Sequence, residues 1–466
     1  MPRPPSFRVR FFLLRATQRP LGLCVIFPLF TRRRFLATAH LSRVNLRHSA
    51  VPREIRVGLL DKLFSRKISK DAFAKIVLDP LAAKGISNTT YHPDQFSITI
   101  GKDSNTIFLH NTYVNYIDAD KTRRTMLIEH LTGSFATKTD IPHSYSAAAP
   151  NLMPIVRAPS YFSLVALDFQ ARSANAKLSG LDCPTKPICD GLVAMLAHDT
   201  EHSIMQVNRE SFDRWGVTLD AALSAAIDHL RDKTDTRLLR EVFPGLYQGQ
   251  WGDSYATARI LLTDLIYRVS VEGDPIAFLP SCDNLWVTGS LNLNGLRKLL
   301  ELADQLHFAG HPLSPNFYLL NNGTWSPYLP DDPALRDLSL KLIRKREAVD
   351  YNQQTEALNK IHARDKIDLF VAKYMVFRRK DGTEYSTAVW SNGIDSLLPK
   401  ADTFTFGIDP PKKQFLTVPW HLAYPIVSNL LEEQPGLLPV RYRPRTFPDE
   451  QQRAALRTHA IQLNEN

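Results

Sequence analysis

What this chain has least of is cysteine, and after that glycine. Only Cys24, Cys183, Cys189 and Cys282 occur in 466 residues, too few for a disulfide framework and in keeping with a reducing compartment. Twenty glycines leave no G-x-x-x-x-G-K-[ST] string and no persuasive G-x-G-x-x-G, which argues against the two familiar backbone cradles for nucleotide phosphates. No run reaches the ~18 to 20 apolar residues that span a bilayer. The longest, Pro20–Phe30, lies between Arg19 and the Arg32–Arg34 cluster. A soluble body without a membrane partner is therefore expected.

Acid is missing from one place in particular. Residues 1–56 hold twelve Arg, no Lys and a single acid, Glu54. The whole chain carries a formal charge of +10, a balance that normally points to nucleic acid or an anionic membrane. With the first 56 residues set aside, 45 basic residues face 46 acidic ones. A near-neutral body exerts no long-range pull on phosphate, so no nucleic-acid partner is expected. Residues 1–56 read as an unfolded basic tail with three candidate origins. An Arg-rich, acid-poor segment suits a mitochondrial transit peptide. An export signal fits poorly, because three arginines separate Leu21–Phe30 from Ala37-Thr38-Ala39, and the twin-arginine-like Thr31–Leu36 precedes a polar stretch. The preferred origin is an overextended start, with Val57 as the initiating position, which implies a cytoplasmic protein.

Beyond the tail the pattern predicts an α+β fold, interleaved helices and β-hairpins in two or three modules: 57–150, 151–332 and a C-terminal extension at 333–450. Ser69 ahead of Phe73, Ile76, Val77 and Leu81 predicts a capped helix over Lys70–Leu81, ended or kinked near Asp79 by Pro80. Thr122–Phe135, Leu219–Arg231 behind Thr218, Leu293–Leu306 and the charged Ala334–Lys366 read as helices, as does Asp253–Val269. Hairpins are expected from Phe96–Ile100 with Thr106–Leu109, Val193–Ala197 with Ser203–Val207, and Pro275–Pro280 with Leu285–Thr288. Asp368–Arg378 with Glu384–Trp390 turns over Asp381-Gly382, and Asp402–Ile408 pairs with Phe415–Pro419. Glu241–Gln248 reads as one strand. Pro142, Pro150, Pro154 and Pro159 mark Thr139–Pro159 as a connection, Pro327, Pro330 and Pro333 mark a boundary, and a helix His421–Leu431 precedes a Pro/Arg-rich tail. No strict βαβ rhythm appears, which favours α+β over a doubly wound sheet.

Two constellations invite chemistry. Cys183, Cys189, His198 and His202 supply the residue types that zinc takes. Their C-x5-C-x8-H-x3-H spacing is no standard finger, and Pro184 and Pro187 stiffen the Cys loop, so no metal and no cofactor are expected. Trp251-Gly252-Asp253-Ser254-Tyr255 opens the expected helix, with Arg259 a turn further on. Asp253 could hold a ligand there while Arg259 takes an anion. The plainer alternative has Asp253 capping the helix and pairing with Arg259. Ser254 lacks the oriented base that a nucleophile needs. Arg157, Asp253, Tyr255 and Arg259 are the candidate ligand-binding residues, with no catalytic residue assigned. Arg441, Arg443 and Arg445 read as solvated surface.

Residues 57 to about 330 resemble the bacterial YtpQ-like family of unknown function. The likeness is carried by Ser69–Phe73, Leu152–Arg157 with Pro159-Ser160-Tyr161, and Arg214–Val217. It continues through Gly252–Tyr255 with Arg259, and Val271–Pro275 with Val287–Ser290. The family pattern Gly-Asp-Gly-Tyr-Asp-x-x-Arg is altered here at Ser254 and Ala256, which removes a second carboxylate. Residues after about 336 resemble the extension of longer members. With no complete catalytic set, the expected function is a non-catalytic binding or interaction protein with an unknown protein or small-molecule partner. The alternative is an enzyme of unassigned class centred on Arg157, Asp253, Tyr255 and Arg259.

Overall fold

The computed structural model describes residues 68–461 apart from 95, 102–104, 110–111, 114–115, 118, 137–139, 173–181, 201–202, 308–311, 380 and 410–413. The basic tail, expected to be disordered, and its candidate origins lie outside these residues, as does His202. The fold is α+β, with eleven α-helices and several small sheets among the described residues. No helix among them is long and apolar enough to cross a membrane. The chain forms two compact units. The first takes the described residues up to Ala158 and from 182 to Leu329; the second takes Pro159–Arg172 and everything from Pro330 onward.

Local signals set many elements of the first unit. Ser69 Oγ accepts the Ala72 amide at 3.1 Å and starts the helix Lys70–Ala83. The helix continues one turn past Pro80 to Ala83, is capped at Lys84, and the chain then turns at Gly85 with φ +83°. Three antiparallel strands, Thr89–His92, Ser97–Ile100 and Asn105–Phe108, pack with that helix and Lys121–Ala136 around Phe73, Val77, Ile98, Ile107 and Leu131. Thr218 caps Leu219–Asp232 through the Ala221 amide, and this helix lays Ala222, Leu223 and Ala226 against Leu152, Ala194 and Leu196 of a second sheet.

Several elements differ from the pattern. Leu152–Arg157, inside the expected connection, is a fully buried strand paired with Leu192–Asp199. It is an edge strand, which tolerates Pro154 because its other side carries no ladder. Glu241–Gln248 is a hairpin, Leu239–Phe243 with Leu246–Gly249, turned at Pro244-Gly245, where Gly245 takes φ +64°. Asp253–Val269 is not one helix. It is a turn, a 3-10 segment Thr257–Leu261 and a short helix Thr263–Tyr267, with the Asp253 carboxylate accepting both the Tyr255 amide and the Arg259 side chain. The pattern also lacks a hairpin that is present, Phe317–Asn321 with Thr324–Tyr328 over Asn322-Gly323. Both turn residues have positive φ, the requirement that makes Asn-Gly a hairpin signal. Pro327 lies on the outermost strand of this six-stranded antiparallel sheet, again where no ladder bond is lost.

The second unit is organised by one helix, Pro333–Asp365, capped by Asp332 and about 50 Å long at 1.5 Å per residue. Two four-stranded sheets accompany it. One orders Met375–Arg378, Glu384–Ser391, Thr403–Asp409 and Gln414–Pro419; the other orders Phe370–Val371, Ser396–Pro399, Arg441–Pro444 and Leu431–Glu433. Thus Asp368–Arg378 is divided, and Phe370–Val371 runs parallel to Ser396–Pro399. The expected helix His421–Leu431 is Trp420–Val427 with a 3-10 turn after it. The segment beyond is no tail: it holds the strand Arg441–Pro444 and the helix Glu450–Arg457 with an Asp449/Gln452 capping box.

The long helix buries the polar residues Ser339, Arg344, Arg346, Asp350, Gln354 and Thr355, the last two on the face that carries Tyr351. Arg441 meets that face. Its guanidinium is fully buried and donates to Gln354 Oε1, Thr355 Oγ1 (2.7 Å) and the carbonyls of Ala372 (2.8 Å) and Leu397 (3.0 Å). Burial lowers its pKa to about 10, against the opposing influence of Tyr351. Replacing Arg441 by Met leaves several acceptors buried without donors, at about 1–3 kcal/mol each. Denaturant unfolding of Arg441→Met is expected to show a loss of about 3 kcal/mol or more; a loss below about 1 kcal/mol would contradict this role.

Candidate functional site

The turn Trp251–Tyr255 is held by close packing. A Cβ on Gly249 would lie 2.1 Å from the Trp251 ring, so the indole lies flat against a residue that has to be glycine. Gly252 reverses the chain with φ +65°, and Trp251 Nε1 donates to the Asp235 carbonyl at 2.9 Å. This fixes the indole as a floor for Arg259, whose guanidinium lies 4.1 Å from the ring centroid.

Arg259 is wholly buried and paired on every side. Nη1 and Nη2 donate to the two oxygens of Asp253 at 2.9 and 2.8 Å, and Nε donates to Thr234 Oγ1 at 3.0 Å. Asp253 Oδ1 also accepts the Tyr255 amide at 3.1 Å. A two-pronged fork on a carboxylate, stacked on an indole, is a strong arrangement for a buried arginine. It also leaves the guanidinium no face for an incoming anion.

The structure brings three of the four sequence candidates together here and sets Arg157 within electrostatic range of the Tyr255 hydroxyl. Arg157 ends the buried strand and donates from Nη1 to the Val156 carbonyl at 2.8 Å. Pattern alone missed Asp199, Lys233, Thr234 and Trp251 Nε1 as members of the cluster. Their positions in the chain, on a strand end, a helix end and a turn, carry no common motif. Tyr255 is buried, and its hydroxyl lies beside the Asp199 carboxylate but outside close hydrogen-bond geometry. Burial, then the charge of Asp199, pushes the tyrosine hydroxyl far above its ordinary range, with Arg157 opposing. Burial likewise raises the Asp199 carboxyl, while Lys233 at 3.8 Å pulls it down.

The cysteines are poor ligands. Burial, with Asp182 nearby, raises the Cys183 thiol to about 11, and burial with Asp190 raises Cys189 to about 12. His198 is buried inside a strand, not in a turn, and burial lowers its pKa. No group of three or more metal-binding side chains occurs among the described residues.

The second unit carries an open groove of 780 Å³ between the turn after Glu384–Ser391 and the segment that leads into Glu450–Arg457. Ile394, half exposed, and Phe447 line it with Asp395, Arg443, Glu432 and Arg445. Arg443 pairs with Asp395 at 2.6 Å and Arg445 with Glu432 at 3.5 Å. The C-terminal arginines therefore have separate fates: Arg441 is interior, and the other two are neutralised at the rim.

No family model matches the chain, and comparison with the curated proteins and with the solved structures found no match.

A raised carboxyl favours the folded state at low pH, and that advantage is lost as pH rises from its unfolded value of ~3.9 through the folded one. Ionised Asp199 thus costs stability at neutral pH, and the exposed Lys233 returns little. Asp199→Asn is expected to melt higher than wild type at pH 7, with the gain shrinking toward pH 4. A gain that is absent at pH 7, or grows as pH falls, contradicts this.

Proposed function

We propose that this chain is a non-catalytic binding or interaction protein of the cytoplasm, which takes an extended segment of a partner protein in the groove of its second unit. The observation that carries this is the groove's rim. Its three acids and three arginines balance, each arginine is paired with a neighbouring carboxylate, and Ile394 is half exposed among them. A rim of this kind exerts no net pull on a polyanion, which speaks against nucleic acid. It suits a peptide of mixed character, with apolar side chains over Ile394 and Phe447 and polar groups along the edge. A volume of 780 Å³ lies within the roughly 300–1,000 Å³ usual for binding clefts.

An enzyme centred on Arg157, Asp253, Tyr255 and Arg259 has less support. Its anion-binding group is sealed by Asp253, Thr234 and Trp251, and its tyrosine is buried. The resemblance to the YtpQ-like family is kept as part of the proposal, and that family brings no reaction that would favour catalysis.

A photo-crosslinking residue placed at Ile394 of the full chain, expressed in its own cells, tests the proposal against the same residue placed at the exposed Leu291 of the first unit. A discrete protein adduct from position 394, absent from 291, is expected. No adduct, or the same adducts from both positions, would overturn it.

A further inference from the structure

A second and smaller cleft in the same unit, 290 Å³, is lined by Glu347, Lys400, Ala401, Asp402, Trp420 and His421. The long helix supplies Glu347, the two residues ahead of the strand Thr403–Asp409 supply Ala401 and Asp402, and the start of the helix Trp420–Val427 supplies Trp420 and His421. It shares no lining residue with the groove.

Its two carboxylates are each held by one oxygen. Asp402 Oδ2 accepts Arg344 Nε, the Ser386 amide and the Ser386 hydroxyl, each at 2.7 Å. Glu347 Oε2 accepts the Tyr374 hydroxyl at 2.6 Å. These contacts leave Asp402 Oδ1 and Glu347 Oε1 over. Lys400 is exposed and enters no ion pair, and the imidazole of His421 is exposed beside it. Asp402 is already paired with Arg344, yet one oxygen of each carboxylate lies outside these contacts and Lys400 enters no ion pair, so the cleft still offers groups of both signs to a molecule that carries both.

We propose that this cleft binds a free α-amino acid, with its ammonium at Glu347 Oε1 and Asp402 Oδ1, its carboxylate at Lys400 and His421, and the indole of Trp420 as an apolar wall. An anion alone would meet Asp402, and a cation alone would meet Lys400. A neutral polyol would leave both signs uncompensated. The volume sits at the small end of ligand pockets, about 300 Å³ and upward, which suits a molecule of this size.

The surroundings of Glu347 set its affinity for protons. Burial raises this carboxyl and the charge of Asp402 adds to it, opposed by the Tyr374 hydrogen bond, Lys400 and Arg344. Burial also works on Asp402, but hydrogen bonds from Arg344 and Ser386 outweigh it and hold that group below its ordinary value. An arriving ammonium opposes both effects on Glu347 and favours its ionised form.

The experiment is calorimetric titration of the full chain with the common free L-amino acids, with methylamine, acetate and glucose as controls. At least one amino acid is expected to bind at one site with Kd below about 1 mM, while the controls bind at least tenfold more weakly. Lys400→Ala, an exposed change, and Glu347→Gln are each expected to weaken binding at least tenfold. The proposal is overturned if no amino acid binds, if a control binds equally well, or if Lys400→Ala leaves the affinity unchanged.

Discussion

A guanidinium taken out of water has to find a partner for each of its nitrogens, and each unit of this protein holds one that has done so. Arg259 in the first and Arg441 in the second are both fully buried. They solve the problem differently. Arg259 takes a carboxylate, a hydroxyl and an indole face. Arg441 has no carboxylate and spreads its donors over carbonyls, Gln354 and Thr355. Leaving such a group unpaired costs several kcal/mol, so the strands, turns and helix face that supply the partners are held in one arrangement.

That constraint shapes where ligands can go. The charge that the sequence offers at Arg259 is consumed within the fold, and the Tyr255 side chain is buried. In the second unit the same demand draws Gln354 and Thr355 of the helix Pro333–Asp365 to Arg441. Glu347 stands between Arg344 and Asp350 in that sequence, yet it gives only one oxygen to Tyr374. The difference between a consumed and a half-consumed carboxylate separates scaffold from candidate binding surface here.

The legible part of this fold was local. Ser69, Thr218 and the Asp381-Gly382 turn announce their elements because a cap or a positive-φ turn depends on a few neighbouring residues. Asn322-Gly323 offers the same kind of signal and went unused. Prolines misled at Leu152–Arg157 and Pro327, because an edge strand tolerates what a central strand does not, and edge position is a property of the whole sheet. Of the candidate cluster, Asp253, Tyr255 and Arg259 lie in one short stretch and are found together. Asp199 and Lys233 arrive from other elements and could not be added. The helix after Pro333 reads from the sequence only as charged. Its buried face became meaningful only with Arg441, some 90 residues away, in place.

The central claim is that Arg259 belongs to the scaffold and does not face a ligand. Timed modification of the native protein by an arginine-selective dicarbonyl, read peptide by peptide, tests it most directly. Arg237 and Arg268, with side chains 87% and 73% exposed, should react first, while Arg259, with none of its side chain exposed, stays intact until the protein unfolds. Modification of Arg259 at a rate near that of Arg237 in the folded protein would contradict the account and return the Asp253–Arg259 pair to the list of ligand-facing groups.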